Sequence, residues 1–202
     1  MLGGYCGLKR LFDIFCSSFA LFVFSPLFII VFVLIKLDNP GPALFVQRRV
    51  GIDDAEFSMY KFRTMVVGTP NVATDKLKNS QSYITKIGYY LRKYSIDELP
   101  QLLNILKGDM SIIGPRPALY NQTELRERRN KHRISSIRPG LSGWAQVNGR
   151  DDIPLSEKVK LDFFYLKKQS FWLDLKIIYM TLFSVSGGTG ITATERKVQA
   201  RG

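Results

Sequence analysis

The sequence predicts an α+β fold: a mainly helical, membrane-associated domain with a helix-break-helix at its start, amphipathic interfacial helices, and a small β-hairpin or sheet. Three observations predict it. Residues Ile14 to Ile35 carry no charge and are interrupted only by Ser25-Pro26. Two short apolar stretches flank the turn sequence Gly51-Ile52-Asp53-Asp54. Leu99, Leu102, Leu103 and Leu106 recur at helical spacing, and further stretches later in the chain read as helices. The 202 residues are enough for one domain with a real core. The expected division is a membrane segment over 1–37, a globular domain over 38–186 and a frayed tail over 187–202.

The uncharged run is about 33 Å long as a helix, enough to span a bilayer. Lys9 and Arg10 precede it and Lys36 follows. It is too long for an ordinary signal peptide and no small-x-small cleavage site follows. Pro26 removes a backbone hydrogen bond and clashes with the turn before it. The hydroxyl of Ser25 can satisfy a carbonyl that the break frees. Each half, about 18 Å, is too short to cross alone. Basic residues at both ends favour the same, cytoplasmic side. Two arrangements stay open on these grounds: a re-entrant pair of half-helices and a kinked spanning helix.

Asn39-Pro40-Gly41-Pro42 marks the exit from this segment. Strands are expected over Ala43 to Gln47 and Phe57 to Phe62, a loop over Val67 to Asn79, and a helix over Ser82 to Tyr94. Ser95 and Glu98 fit a capping box, and Pro100 pins the next helix start close to Asp97 or Glu98. Leu99, Leu102, Leu103 and Leu106 then form its buried face, and Gly108 caps its end. Ser111 to Gly114 reads as a strand, Pro115-Arg116-Pro117 and Arg138-Pro139-Gly140 as turns, and Gly143 to Arg150 as a loop. Helices are expected over Thr123 to Lys131, Leu155 to Lys168 and Phe171 to Val185. The last two carry aromatics and lysines that suit either an interface or an ordinary core.

Twenty-nine basic residues against 17 acidic ones leave a net charge of +12, which calls for an anionic partner. The apolar segment argues against nucleic acid. Cys6 and Cys16 match no zinc or disulfide spacing, and the single histidine, His132, excludes a His-based triad. No Walker loop, Rossmann fingerprint or zinc motif is present. The adjacent carboxylates of Asp97 and Glu98 suit phosphate chemistry, one to react or hold a metal, with cations to hold the anion. Taken alone they could equally cap a helix and favour its dipole. Arg116, Arg138 and Arg150 stand in turns that can aim them at phosphate, Lys61 and Arg63 alternate with aromatics on one strand, and Arg92 precedes Asp97 by five residues.

These segments together resemble the bacterial sugar transferases, the monotopic phosphoglycosyl transferase family. The matching stretches are Lys9-Arg10-Leu11-Phe12-Asp13, Ser25-Pro26, Tyr60-Lys61-Phe62-Arg63-Thr64-Met65, Ser95-Ile96-Asp97-Glu98-Leu99-Pro100-Gln101, Leu106-Lys107-Gly108-Asp109-Met110-Ser111, Gly114-Pro115-Arg116-Pro117, Arg138-Pro139-Gly140 and Gln146-Val147-Asn148-Gly149-Arg150. Arg63 stands where lysine is also common. The chain looks like the minimal form, without the extra N-terminal membrane helices of larger members.

The resemblance implies a re-entrant helix broken at Ser25-Pro26, on the cytoplasmic face of the bacterial inner membrane, with a cytoplasmic catalytic domain over 38–186. It implies transfer of a sugar-1-phosphate from a UDP-sugar to undecaprenyl phosphate with release of UMP, as the first membrane step of glycan assembly. Asp97 would be the nucleophile and Glu98 its partner, both near Mg2+. Lys61, Arg92, Arg116 and Arg150 would contact phosphates and nucleotide, with Arg63 and Arg138 as further candidates. Membrane lipids are expected partners, and the reading leaves room for a homodimer. Thr69 to Asp75 and Ala118 to Gln122 look similar to members that start capsular polysaccharides from N-acetylated deoxy-sugars. Two rival readings are a non-catalytic basic protein that binds anionic lipid and a metal-dependent lipid phosphatase.

Overall fold

The computed structural model describes residues 2–70, 80–149 and 153–186. The chain opens with two apolar helices, α1 (Leu2–Val23) and α2 (Ser25–Asp38), which bend by 61° at a break on Phe24. Pro26 sits in the first turn of α2, where its missing N–H leaves nothing unpaired. Ser25 Oγ donates to the Phe22 carbonyl at 2.8 Å, so the hydroxyl takes up an acceptor at the break as expected. No single described helix is long and apolar enough to cross a membrane, and α1 and α2 pass that test only as a bent pair.

The outer faces of this pair are hydrocarbon: Phe15, Phe19, Phe22, Ile29 and Leu37 are exposed. The inner face is fastened by polar groups. Arg10 donates to the Ile105 carbonyl at 2.5 Å and the Leu106 carbonyl at 2.9 Å. Asp13, only 2% exposed, accepts from the Ile112 N–H at 3.0 Å. Lys9 pairs with Asp174, and Tyr5 donates to the same carboxylate at 2.7 Å. On α2, Val31 and Ile35 pack with Phe62 and Leu91, while Asp38 accepts from the Ile87 N–H at 3.1 Å.

The hairpin pairs β1 (Leu44–Val50) with β2 (Glu56–Phe62), antiparallel, with Leu44 opposite Phe62. β1 runs past the expected end at Gln47 because Arg48 pairs across the strands with Glu56 and Val50 is buried. The turn between them places Asp53 and Asp54 at φ of 49° and 62°, a backbone region aspartate tolerates. The next helix, α3 (Lys86–Lys93), starts later than the expected Ser82. Ile84 bridges to Met65 in extended conformation, and Thr85 then caps the helix by accepting from the Gly88 N–H at 3.0 Å.

α4 (Gln101–Lys107) ends at Gly108, whose φ of 97° fits the expected cap. Its buried face is Gln101, Leu102, Asn104 and Ile105, and Leu103 is exposed, contrary to the leucine spacing. The cause is Asn104, fully buried, which donates to the Ser58 carbonyl at 2.8 Å and accepts from the Tyr60 N–H at 3.0 Å. That pair of bonds turns α4 toward β2.

β3 (Ser111–Ile113) pairs in parallel with β4 (Gly140–Ser142), followed by the one-turn α6 (Trp144–Val147). The expected turn and loop over 138–150 therefore contain two short elements, too brief to show a period. α5 (Thr123–Lys131) and α7 (Leu155–Lys168) have their expected bounds, and α8 spans Phe171–Ser186. The expected tail over 187–202 lies outside the described residues.

Arg10→Ala leaves two α4 carbonyls without their charged donor, a loss of about 2 kcal/mol by the usual worth of such bonds. Thermal unfolding in detergent is expected to show a melting temperature lower by roughly 4–8 °C, with Leu103→Ala nearly neutral.

Candidate active site

α3 ends because Ser95 adopts the left-handed region, at φ 55° and ψ 21°. This conformation costs a non-glycine residue on the order of 1 kcal/mol, and such strain gathers at functional sites. The Glu98 N–H donates to the Ser95 carbonyl at 3.2 Å, closing a single 3-10 turn over Ile96–Glu98. The two carboxylates thus precede α4 instead of opening it. The expected capping box is absent: Ser95 makes no side-chain cap, and Glu98 reaches two cations in place of a backbone N–H.

Those cations come from different parts of the fold. Lys61, on β2, donates from Nζ to Glu98 Oε1 at 2.7 Å. Arg116, from the turn after β3, donates from Nη2 to the same oxygen at 3.0 Å. Gly140 lets that turn sit where it does, because a Cβ there would lie 2.1 Å from the Gly114 nitrogen. Burial alone would raise the Glu98 pKa, but Arg116 and Lys61 outweigh it and hold the carboxyl far below the usual range. Asp97, 8% exposed, behaves oppositely. Burial, with the neighbouring Glu98 charge, pushes it up to about 6 against the pull of Lys61, Arg92 and Arg116. Adjacent residues are driven apart: Glu98 is a fixed anion that anchors cations, and Asp97 is a basic carboxylate with no direct salt bridge of its own among the described residues.

The structure brings Lys61, Arg92, Arg116, Asp97 and Glu98 into one electrostatic unit. It takes Arg63 and Arg138 elsewhere. Arg63 is 6% exposed and donates to the carbonyls of Asn39 and Pro40, in the turn after α2. Arg138 donates from Nε to the Gly108 carbonyl at 2.8 Å, at the opposite end of α4 from the dyad. Each guanidinium bonds backbone in this structure, so neither joins the Lys61, Arg92 and Arg116 cluster around the dyad. Arg150 lies outside the described residues, as does most of the stretch Thr69 to Asp75. Arg49, Arg129 and Asp162, which surround the Arg116 turn, went unread in the sequence. Asp162 had a signal, a lone acid between Leu161 and Phe163 in an apolar helix face.

No group of three or more His, Cys, Asp or Glu side chains that could hold a metal occurs among the described residues. Two carboxylates suffice for Mg2+, which is usually bound by one or two carboxylates together with substrate phosphates. The donor set of Asp97 and Glu98 fits that mode and not a closed protein cage.

Comparison with known proteins matches the family model "Bacterial sugar transferase" over residues 5–188. The chain is 39% identical to the UDP-N-acetylgalactosamine-undecaprenyl-phosphate N-acetylgalactosaminephosphotransferase of Aeromonas hydrophila, covering 92% of this chain and 45% of that protein. It is 40% identical to the uncharacterized sugar transferase EpsL of Bacillus subtilis, covering 96% and 95% respectively. It is 37% identical to the UDP-glucose:undecaprenyl-phosphate glucose-1-phosphate transferase of Escherichia coli, covering 87% and 39%. The chain therefore spans less than half of the Aeromonas and Escherichia proteins and nearly all of EpsL.

Asp97 is an acid whose folded pKa, about 6, lies above its unfolded value of 3.8, so the folded state loses stability as pH rises from about 4 through about 6. Asp97→Asn escapes that loss. Its stability gain over the wild type, read from thermal unfolding without metal, is expected to grow by about 2 kcal/mol between pH ~4.5 and pH ~8. An equal gain at both pH values would contradict the raised pKa.

Proposed function

The chain belongs to the bacterial sugar transferase family, and on that premise we propose that it moves a sugar-1-phosphate from a UDP-sugar to undecaprenyl phosphate, releasing UMP. The observation that carries this reading is the split dyad: Asp97, raised and without a direct salt bridge among the described residues, beside Glu98 ionised between Lys61 and Arg116. The names of the Aeromonas and Escherichia relatives support the substrate classes.

The chemistry follows from the charges. Asp97, ionised at neutral pH yet more basic than an ordinary aspartate, attacks the phosphorus that bears the sugar. A new bond forms from Asp97 Oδ to that phosphorus. The bond from phosphorus to the bridging oxygen breaks, and UMP leaves with the electron pair. The phosphate of undecaprenyl phosphate then attacks the same phosphorus, forming the lipid diphosphate sugar and returning Asp97 as a carboxylate. Lys61, Arg92 and Arg116 bring positive charge to a step in which two anions must meet. Glu98 keeps Lys61 and Arg116 in place. Mg2+, held by Asp97 and Glu98 with substrate phosphates, would add charge neutralisation on the diphosphate.

The lipid acceptor requires the site to lie at a membrane, and we propose that α1 and α2 form a re-entrant pair on the cytoplasmic face. The exposed Phe15, Phe19, Phe22, Ile29 and Leu37 support immersion, as do Trp172, Tyr179 and Phe183 on the outer face of α8. A re-entrant pair puts the N-terminus on the same side as the globular domain.

Asp97→Asn is expected to release no UMP from any UDP-sugar in the presence of Mg2+ while remaining in the membrane fraction. Wild-type protein incubated with its UDP-sugar alone is expected to carry one sugar phosphate at residue 97 by intact mass and peptide mapping. Turnover by Asp97→Asn at the wild-type rate removes Asp97 as nucleophile. Release of inorganic phosphate in place of UMP selects the phosphatase reading. A tag at the N-terminus is expected to be shielded from protease outside intact cells; cleavage there would establish a spanning helix.

A further inference from the structure

The turn Pro115-Arg116-Pro117 presents three consecutive carbonyls, and a different element bonds each of them. The Pro115 carbonyl accepts from the Gly140 N–H at 2.9 Å. The Arg116 carbonyl accepts from Arg129 Nη1 at 2.8 Å. The Pro117 carbonyl accepts from Arg49 Nη1 at 2.9 Å. Two of the three donors are guanidinium groups, and each is itself braced. Arg129, on α5 and 7% exposed, commits Nε at 3.0 Å and Nη2 at 2.6 Å to one oxygen of Asp162, which lies on α7 and is 1% exposed. Arg49, on β1, commits Nε at 3.0 Å and Nη2 at 2.6 Å to Gln47 Oε1.

These bonds constrain the one residue between them. Prolines at 115 and 117 already fix φ on both sides. With the carbonyl directions held as well, the Arg116 backbone has little freedom, and its side chain leaves the turn toward Glu98 at 3.0 Å. A simpler account has Arg129 and Asp162 merely stitching α5 to α7. Buried ion pairs are poor stabilisers, however, and apolar residues of similar volume usually do that work as well. An apolar pair cannot donate to the Arg116 carbonyl.

We infer that Arg129, braced by Asp162, and Arg49, braced by Gln47, are positioning residues: a two-sided clamp that holds the Arg116 guanidinium where it meets the phosphates of the nucleotide sugar. The inference rests on the proposed function for its chemistry and on the hydrogen bonds for its geometry. Neither clamping arginine needs to touch substrate.

The test is a double-mutant cycle. Arg49→Lys and Arg129→Lys are each made alone and in an Arg116→Lys background, and UMP release is measured. Each alone is expected to lower kcat/KM roughly 10- to 100-fold, the scale of a small misplacement at a reacting centre. In the Arg116→Lys background the further loss is expected to stay below about threefold, because the group being positioned is already gone. The fall in melting temperature is expected to be the same in both backgrounds. Losses that multiply independently would overturn the clamp. The paired replacement Arg129→Met with Asp162→Leu removes both buried charges and keeps volume, so it is expected to fold and still to lose activity; full activity would overturn the inference. Hydrogen exchange gives a readout without turnover. Amides of Val50, Leu119 and Gly140, whose bonds hold the turn, are expected to exchange about tenfold faster in the single variants, with α7 amides unchanged, and unchanged exchange at those three residues would also overturn the clamp. A wild-type protein that releases no UMP from any UDP-sugar condemns the proposed reaction instead, and exchange alone then decides the clamp.

Discussion

Much of the molecule depends on how α4 is held. Two of its last carbonyls receive Arg10 from the apolar helix α1 and, two residues past them, its cap carbonyl at Gly108 receives Arg138. Its middle is bound to β2 through Asn104. The turn that leads into it carries Asp97 and Glu98, and Glu98 is bonded in turn to Lys61 of β2. A helix of seven residues has little stability of its own. Here it gains rigidity from charged donors at one end and a carboxylate–cation cluster beside the other. The apolar pair, the hairpin and the dyad are thereby fixed to one another, and the height of the dyad above α1 becomes a property of the fold.

The same economy of contacts explains the electrostatics. A chain of net charge +12 has cations in excess, yet it directs two of them at one oxygen of Glu98 and none by direct salt bridge at Asp97 among the described residues. Had each carboxylate taken one cation, both would sit low and neither would be more basic than an ordinary carboxylate. Sharing one oxygen between Lys61 and Arg116 leaves Asp97 subject mainly to burial, which makes it basic. The arrangement opposes stability at neutral pH, as sites tuned for reaction commonly do.

The elements with long periods were legible in the sequence. The break at Ser25-Pro26, the β-hairpin, α5 and α7 follow from proline chemistry, turn residues and spacing over nine or more residues for the two helices. β4 and α6 were not, since three or four residues show no period. The face of α4 was misread because leucine spacing counts apolar residues, and a buried asparagine that binds strand backbone sets the rotation instead. In the site, Lys61 and Arg116 were legible as cations near a carboxylate pair. Arg63 and Arg138 were not separable from them, because every arginine looks alike until the carbonyls around it are known. Arg63 is two residues from Lys61, but it stands past the end of β2, where two loop carbonyls take it.

Buried charge links these points. Asp13, Asp162, Asp174, Arg63 and Arg129 are each less than a tenth exposed, and removing them from water is unfavourable. Three of them bond backbone: Asp13 binds the Ile112 N–H, Arg63 the carbonyls after α2, and Arg129, besides its pair with Asp162, the carbonyl of Arg116. Backbone partners do not depend on the identity of the neighbouring side chain, so such bonds fix where a segment runs and leave its side chains to other duties. That is the property required where irregular chain must carry reactive groups. The segments fixed this way are the exit from α2, the start of β3 and the Arg116 turn, and the last of these delivers a cation to the dyad. Apolar packing could bury as much surface at these positions, but it would not set the direction of a carbonyl.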